Sequence, residues 1–321
     1  MNNEMSVRVS TPRIAQKKDF KVRLRQSLPL LIMLIPGFLY LLINNYLPLS
    51  GLAIAFKTTD FSKGLLGGDW IGLKNFEYLF KTADAWTITR NTVLYNLVFI
   101  SLGIVIQITL AILLSEVGKK FFARLYQSVI VLPALISMVI VSYLVFALLS
   151  SDAGLINKTI LPLFNIDPIS WYNSPKYWPF ILVIVNIWKG AGFGCVLYLA
   201  TIVGISTDYY EAARLDGASK WQQIRHITLP HLKPVIIMLT ILNIGKIFYS
   251  DFGLFFQVPM NSGTLYGVTN TIDTYVYRGL MEMGDIGMSA AAGLYQSLVG
   301  FILVMVTNSI VNRVSKESAL F

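Results

Sequence analysis

Residues 208–234 read DYYEAARLDGASKWQQIRHITLPHLKP and lie between two long apolar runs at 178–205 and 234–256. Seven of these 27 residues are charged, so the segment is too polar to lie in hydrocarbon. Each neighbouring run has the roughly 20 residues that a helix needs to cross a bilayer. The stretch therefore predicts a structured loop at a membrane surface, between two spanning helices.

The loop carries two helix starts and two helix stops. Asp208 is predicted to cap the first helix, and DYYE at 208–211 resembles a capping box. Gly217 suits the left-handed conformation that ends a helix. SKWQ at 219–222 predicts a second capped start, and Pro230 is predicted to end that helix. We expect two short helices that meet at a glycine. Either they form an ordinary hairpin on the membrane surface, or they dock another protein.

The same pattern of apolar runs continues along the chain. Of its 321 residues, 55% are hydrophobic and only 13% charged, whereas soluble domains average about 25% charged residues. Because the first run is long for a signal peptide and no small-residue cleavage site follows, we interpret it as a retained span. The fold class is therefore an all-α integral membrane protein with six spans, at about 27–46, 91–115, 124–149, 178–205, 234–256 and 286–312.

The distribution of positive charge predicts the orientation. With residues 1–26 inside, the inner segments carry 16 Lys and Arg and the outer segments carry 8. Because positive residues favour the cytoplasmic side, both termini are predicted to be cytoplasmic. The tail 1–26 is then a basic cytoplasmic segment, and 27–321 forms the membrane domain with the loop 206–233 on the same side.

Several chemistries have no matching pattern. No phosphate-binding loop of the form G-x-x-x-x-G-K-[ST] occurs, so we expect no ATP site in this chain. No Cys/His cluster predicts a metal, and His226 and His231 are interpreted as ordinary loop histidines. The one cysteine, Cys195, lies in an apolar run and is interpreted as packing. We therefore predict a non-catalytic chain without a bound cofactor or metal.

Three ionisable residues fall inside the predicted spans, namely Lys189, Lys246 and Asp251. Charge in hydrocarbon is costly, so such residues usually face a cavity or a partner. One interpretation is a structural ion pair between Lys189 and Asp251. The other is that they line a transport path, together with aromatic residues able to stack on sugars. These aromatic candidates are Trp188, Phe248, Tyr249, Phe252 and Tyr295.

The loop resembles the EAA loop of binding-protein-dependent ABC importer permeases, E-A-A-x3-G-x9-I-x-L-P. It lies before the penultimate span, as in that family. The resemblance implies the type I ABC importer transmembrane fold, with the loop as a helix-turn-helix that couples to the ATPase. The coupling residues it implies are Glu211, Ala212, Ala213, Asp216, Gly217, Ile227, Leu229 and Pro230.

The resemblance extends to the polysaccharide and oligosaccharide branch of the maltose-permease superfamily. It is carried by the segments at 35–57, 70–80, 89–99, 251–259 and 270–280. The last two are similar to the branch that moves alginate-type and pectin-type oligosaccharides. The resemblance implies a second, homologous permease in a heterodimer, two ABC ATPase subunits that use Mg-ATP, an extracytoplasmic solute-binding protein and a bacterial cell membrane.

Three alternatives stay open from the residues. An ion-driven secondary transporter would favour inverted repeats and more carboxylates within the spans. An ABC permease for a solute other than sugar would share the loop. A membrane-embedded enzyme would need an acid/base or metal cluster at one membrane face, and no such pattern is present.

Overall fold

The structure is a computed structural model that describes residues 20–64 and 67–314. Within these ranges the regular secondary structure is helical, apart from one isolated bridge between Lys57 and Trp70. Most of the predicted tail 1–26 lies outside the described residues. The chain divides into two units, one up to Gly51 and one from Leu52 onward.

The first unit holds helix α1, Phe20–Leu41, which a π-turn at Leu42–Tyr46 extends. The membrane-length helical stretch here is Ser27–Phe56, and it has a mean hydropathy of 2.0. It begins where we predicted the first span and runs ten residues past the predicted end.

The second unit contains the remaining helices. They are α2 Lys74–Lys81, α3 Ala83–Ser115, α4 Lys120–Leu135, α5 Met138–Leu149, α6 Trp178–Val203, α7 Thr207–Leu215, α8 Lys220–Ile244, α9 Ile272–Met281 and α10 Ile286–Val314. Helix α3 packs along α6, α6 packs against α4, and α9 packs against α10. Cys195 is buried in the apolar cluster between α3, α6 and α8, as predicted.

Five described helices are long and apolar enough to cross a membrane, and a bent pair makes a sixth span. Helices α3, α6 and α10 cover the predicted second, fourth and sixth spans, and each is long and apolar enough to cross a membrane. The third span differs, because α4 and α5 meet at an angle of 96°. Pro133 near the end of α4 and the Ser137 cap of α5 bracket this break. We call residues 133–137 the first break.

The helix at the predicted fifth span has different bounds from that prediction. Helix α8 starts at Lys220, fourteen residues before the predicted start, and ends at Ile244 rather than near 256. From Gly245 the chain turns, and it resumes helical geometry as a π-turn at Gly253–Gln257. We call residues 245–252 the second break. Hydropathy does not detect this break, because the residues around it remain mostly apolar.

The segment before α10 has a folded interior. Arg278 on α9 is 5% exposed, and its guanidinium lies 4.1 Å from the centre of the Tyr266 ring. It donates to the side-chain oxygens of Asn261, Asn270 and Thr274. Burial lowers the pKa of Arg278 from its ordinary value. The segment 257–285 is thus organised around one buried cation.

Candidate functional site

The predicted coupling loop is present, with one capping residue corrected. Helix α7 starts from Ser206, whose hydroxyl accepts from the amide of Asp208. Asp208 therefore lies in the first turn and does not cap it. Asp and Ser are about equally good capping residues, so residue type alone does not distinguish Asp208 from Ser206. The chain leaves α6 at Val203, which places Ser206 in the extended conformation needed for a cap.

The corner of the loop is confirmed in detail. Gly217 has φ +77°, in the left-handed region. The amide of Ala218 donates to the carbonyl of Ala213 at 2.8 Å, and the amide of Gly217 donates to the carbonyl of Arg214 at 3.0 Å. These two bonds form a Schellman motif, which satisfies carbonyls at the helix end. The Ser219–Gln222 capping box then starts α8.

Pro230 does not end the second helix, which corrects the prediction. A π-turn at Ile224–Thr228 precedes it, and the amide of Leu229 donates to the carbonyl of Ile224. The helix then continues through Pro230 and Pro234 to Ile244. A π-turn shifts the hydrogen-bond register and so accommodates a proline in a continuing helix. The second loop helix is therefore continuous with the fifth span.

Contacts fix the loop to the membrane helices. The Tyr210 hydroxyl lies 3.0 Å from the Thr228 hydroxyl, which joins α7 to α8. The Lys220 ammonium pairs with the Glu116 carboxylate at the end of α3. His226 and His231 bond to backbone carbonyls of their own helix, and no metal-binding cluster occurs in the described part of the chain.

The outer surface of the loop is exposed. Leu215 is 88% exposed and Trp221 is 67% exposed, on either side of Gly217. Exposed apolar side chains on a polar loop are typical of a binding surface. In the described structure the Glu211 carboxylate is exposed and makes neither a hydrogen bond nor an ion pair. It is therefore available to a partner rather than engaged in capping α7.

A polar groove of about 380 Å³ lies among α3, α6 and the end of α8. Helix α3 contributes residues spaced three or four apart, which places them on one helix face. Lys246, Tyr249 and Asp251, three of the predicted path residues, line the same groove. The full lining is Asn96, Phe99, Ile100, Gly103, Ile104, Gln107, Asn186, Asn243, Lys246, Tyr249, Ser250 and Asp251.

Sequence reasoning missed the amides of the groove. Asn96, Gln107, Asn186 and Asn243 lie in apolar helices and carry no charge, so a search for ionisable residues passes over them. Their spacing within α3 is the signal that indicates a polar stripe. A Cβ at Gly194 would lie 2.2 Å from the amide carbon of Gln107, so this glycine gives Gln107 its room.

The predicted pair between Lys189 and Asp251 is wrong. The Lys189 ammonium donates to the carbonyls of Pro133, at 3.3 Å, and Ala134, at 3.1 Å, and to that of Ile136. All three carbonyls lie at the first break, where that of Pro133 also accepts from the backbone amide of Ile136 at 3.2 Å. The Asp251 carboxylate instead accepts from the amide of Leu254 at 3.1 Å. The cation is thus used to hold the first break.

The remaining predicted path residues lie elsewhere. Phe252 stacks on Phe256, with ring centres 4.8 Å apart, and also contacts Tyr277. Tyr295 packs against Phe248. Trp188 is partly exposed and does not line the groove.

Distant polar side chains hold the second break. The Asn96 amide donates to the carbonyl of Ile247 at 3.0 Å and to that of Tyr249 at 2.9 Å. The side-chain amide of Gln296 donates to the carbonyl of Phe248. The backbone amide of Ser250 donates to the carboxylate of Asp273 at 2.7 Å. Irregular backbone at membrane depth is tolerated only where it is satisfied inside the protein or lines a cavity. Here both conditions are met.

The continuous helix from loop to groove, the broken spans and the amide-lined groove define the membrane component of a transporter. Residues 100–316 match the family described as "Binding-protein-dependent transport system inner membrane component". The chain belongs to this family, whose members are ABC importer permeases, and this favours the ATP-driven interpretation over the ion-driven one.

Several characterised proteins are similar along most of the chain. The polygalacturonan/rhamnogalacturonan transport system permease protein YteP of Bacillus subtilis (strain 168) is 34% identical over 302 residues, covering 94% of this chain and 93% of its own length. Protein LplB of the same organism is 35% identical over 289 residues, covering 90% of each chain.

Solved structures share the fold. A chain of a bacterial ABC transporter involved in the import of the acidic polysaccharide alginate has a TM-score of 0.84 and 31% identity, over 92% of this chain and 99% of that one. The alginate transporter in complex with an alginate pentasaccharide-bound periplasmic protein gives the same score and identity. The predicted fold class is confirmed.

Proposed function

We propose that this permease passes an oligosaccharide, with fragments of uronate-containing polysaccharides as the leading candidates, through the polar groove. The chain is a permease subunit of an ABC importer for carbohydrates, as its family and its relatives of known substrate support. Relatives named for pectin components and for alginate favour an acidic substrate.

The observation that carries this function is the unbroken helix α8. It runs for 25 residues, about 37 Å, from the coupling loop to the edge of the groove. At its start Lys220 pairs with Glu116 of α3, the helix that lines the opposite side of the groove. A displacement of the loop is therefore carried along two helices to the groove.

The chemistry of the groove suits a sugar. Amide side chains donate to and accept from hydroxyl groups, and the Asp251 carboxylate accepts from them. Tyr249 and Phe99 offer aromatic faces for apolar sugar surfaces. The Lys246 ammonium supplies a positive charge for a uronate carboxylate.

The finer assembly completes the proposal. A second, homologous permease faces this one across the substrate path, and each loop docks on one of two ATPase subunits that hydrolyse Mg-ATP. An extracytoplasmic binding protein delivers the sugar, and both termini lie in the cytoplasm. The charge bias of the sequence supports the orientation, and the similarity to an alginate transporter in complex with a periplasmic protein supports the delivery of the sugar.

Uptake of labelled oligosaccharides tests the substrate. In a strain that lacks this chain, the restored wild type is expected to import oligogalacturonides, and Lys246→Gln to import them at least tenfold more slowly. Lys158→Gln, which alters an exposed lysine outside the groove, is the matched control. Equal uptake by Lys246→Gln and Lys158→Gln would remove Lys246 from the path.

Cysteine labelling tests the orientation. In a Cys195→Ser background, cysteines placed at Ser10 and Ser318 are expected to resist impermeant reagents in intact cells and to react in inverted vesicles. Labelling of either position from outside intact cells contradicts the cytoplasmic placement of the termini.

A further inference from the structure

A second groove, separate from the polar one, lies between α3 and α6 near the end of α3 that begins at Ala83. It has a volume of about 590 Å³. Its wall is aliphatic and aromatic except for Arg90 and Asn91 at one end. The lining is Arg90, Asn91, Leu94, Tyr95, Val98, Leu102, Pro179, Phe180, Val183, Ile184 and Val268.

The apolar wall of this groove faces outward. Leu94 is 54% exposed, Phe180 is 70% exposed and Ile184 is 66% exposed. The one polar group inward of Asn91, the Tyr95 hydroxyl, donates to the carbonyl of Val268 at 2.9 Å and so presents no free donor. In a membrane protein such a surface contacts the hydrocarbon of the bilayer. The groove therefore suits an acyl chain rather than a sugar.

Arg90 lies at the depth of lipid headgroups. It is 26 residues from Glu116 along α3, which corresponds to about 39 Å. A bilayer with its headgroup regions is about 40–45 Å thick. Because Glu116 lies beside the coupling loop, Arg90 lies at the opposite membrane surface. Trp86, one turn further out, is exposed, as expected of an interfacial aromatic residue.

The guanidinium of Arg90 is oriented but not neutralised. It bonds to the side-chain oxygen of Asn91 at 3.1 Å and to the carbonyl of Gly267 at 3.2 Å. In the described ranges, no carboxylate forms an ion pair with it. Its Nη1 group has no hydrogen-bond partner among those residues and remains able to donate to a phosphate.

We infer that this groove binds a phospholipid, with the phosphate on Arg90 and one acyl chain along Leu94, Val98 and Leu102. The cation at headgroup depth and the apolar channel leading from it toward the membrane centre match the two parts of such a lipid. Helices α3 and α6 form the walls, so the lipid braces the helix that lines the polar groove on its other side.

Native mass spectrometry of the assembled importer, purified with the full-length chain, tests the site with added phosphatidylglycerol. Diacylglycerol with the same acyl chains is the matched ligand without phosphate. We expect one phosphatidylglycerol to be retained, and Arg90→Gln to weaken its binding about fivefold, the effect of one basic residue at a charged lipid surface. Arg90→Lys keeps the charge and is expected to retain most of the binding.

A second variant addresses the acyl chain. Val98→Trp fills the channel without altering Arg90, and it is expected to abolish the retained lipid while the melting temperature stays within a few degrees. If the importer with Val98→Trp does not assemble, the lipid binding measured for Arg90→Gln tests the inference by itself. Equal binding of phosphatidylglycerol and diacylglycerol, or unchanged binding by Arg90→Gln, overturns the inference. So does cross-linking of Phe180→Cys to the second permease, since that subunit would then occupy the groove.

Discussion

The coupling loop and the second break are both departures from a straight membrane helix, but they are held in different ways. In the loop, the Ser219–Gln222 cap joins residues three positions apart, and the turn at Gly217 bonds residues within five positions. At the second break, the bonds from Asn96 reach carbonyls 151 and 153 positions away. The loop is a local structure, whereas the break exists only when α3, α9 and α10 surround it.

This difference indicates which part fails when a contact is removed. Loss of a local cap loosens one turn, because the rest of the fold does not depend on it. Loss of a distant amide leaves carbonyls at the break without their donors, and each such group costs about 1–3 kcal/mol where it is buried. Substitutions at the breaks are therefore expected to lower stability most, and substitutions at Gly217 and Glu211 of the loop to affect coupling.

The largest effect is expected at the first break. Lys189→Met removes three hydrogen bonds from an ammonium to carbonyls at the bend between α4 and α5. We expect a loss of about 3 kcal/mol or more in stability, because hydrogen bonds from charged groups contribute about 1.5–3 kcal/mol each. Thermal unfolding of the purified protein measures it. Lys246→Met, at an exposed lysine of the groove, is the control, and an equal loss in both variants would contradict the role of Lys189.

Asn96→Leu is expected to have the next largest effect, a loss of about 2 kcal/mol in the free energy of unfolding. Leucine has the same branching at Cγ but cannot donate to the carbonyls of Ile247 and Tyr249. Asn243→Leu, which alters another amide of the groove, is the control variant, since the side chain of Asn243 makes no hydrogen bond to the second break. Unchanged melting of Asn96→Leu would show that the second break does not need the long-range donor.

Gly217→Val is expected to cost about 1–3 kcal/mol locally, because a β-branched residue is strained at positive φ. No atom lies within 4 Å of the position a Cβ would take, so the effect is conformational rather than a clash. Transport should be lost while the protein still inserts, and ATPase activity should no longer respond to the loaded receptor. Gly217→Asn, which tolerates the left-handed region, should retain transport. Normal transport by Gly217→Val at normal expression would reduce the loop to a connector.

The smallest effect on stability is expected for Glu211→Gln. Because the carboxylate makes no contact in the described structure, unfolding should be unchanged within about 0.5 kcal/mol. Transport should fall if the charge meets a basic residue of the ATPase. Ser206→Ala is the opposite case. It removes the cap of α7 and is expected to lower stability by about 1 kcal/mol while transport stays coupled to ATP hydrolysis. The reverse ranking, with Glu211→Gln the less stable of the two, would assign capping to Glu211.

Short-range patterns predicted their own geometry well. The turn at Gly217 and the Ser219–Gln222 box were predicted correctly because each depends on residues within two helical turns. The errors share a cause. The cap of α7 is Ser206 rather than Asp208, two residues further on, and a π-turn lets the helix continue through Pro230. In both cases the conformation of the neighbouring backbone determined the outcome.

The sequence by itself determined the membrane class, the helix-turn-helix geometry around Gly217 and the absence of a phosphate-binding loop from this chain. These follow from apolar run length, from capping chemistry and from residue spacing, which act over a few residues. Tertiary structure decided where the spans break, which amides meet in the groove and which groups Lys189 binds. Carbonyls released by a break must find donors inside the protein, and in this chain those donors come from residues 48 to 153 positions away. No local pattern specifies such partners, because only the packed helices bring them together.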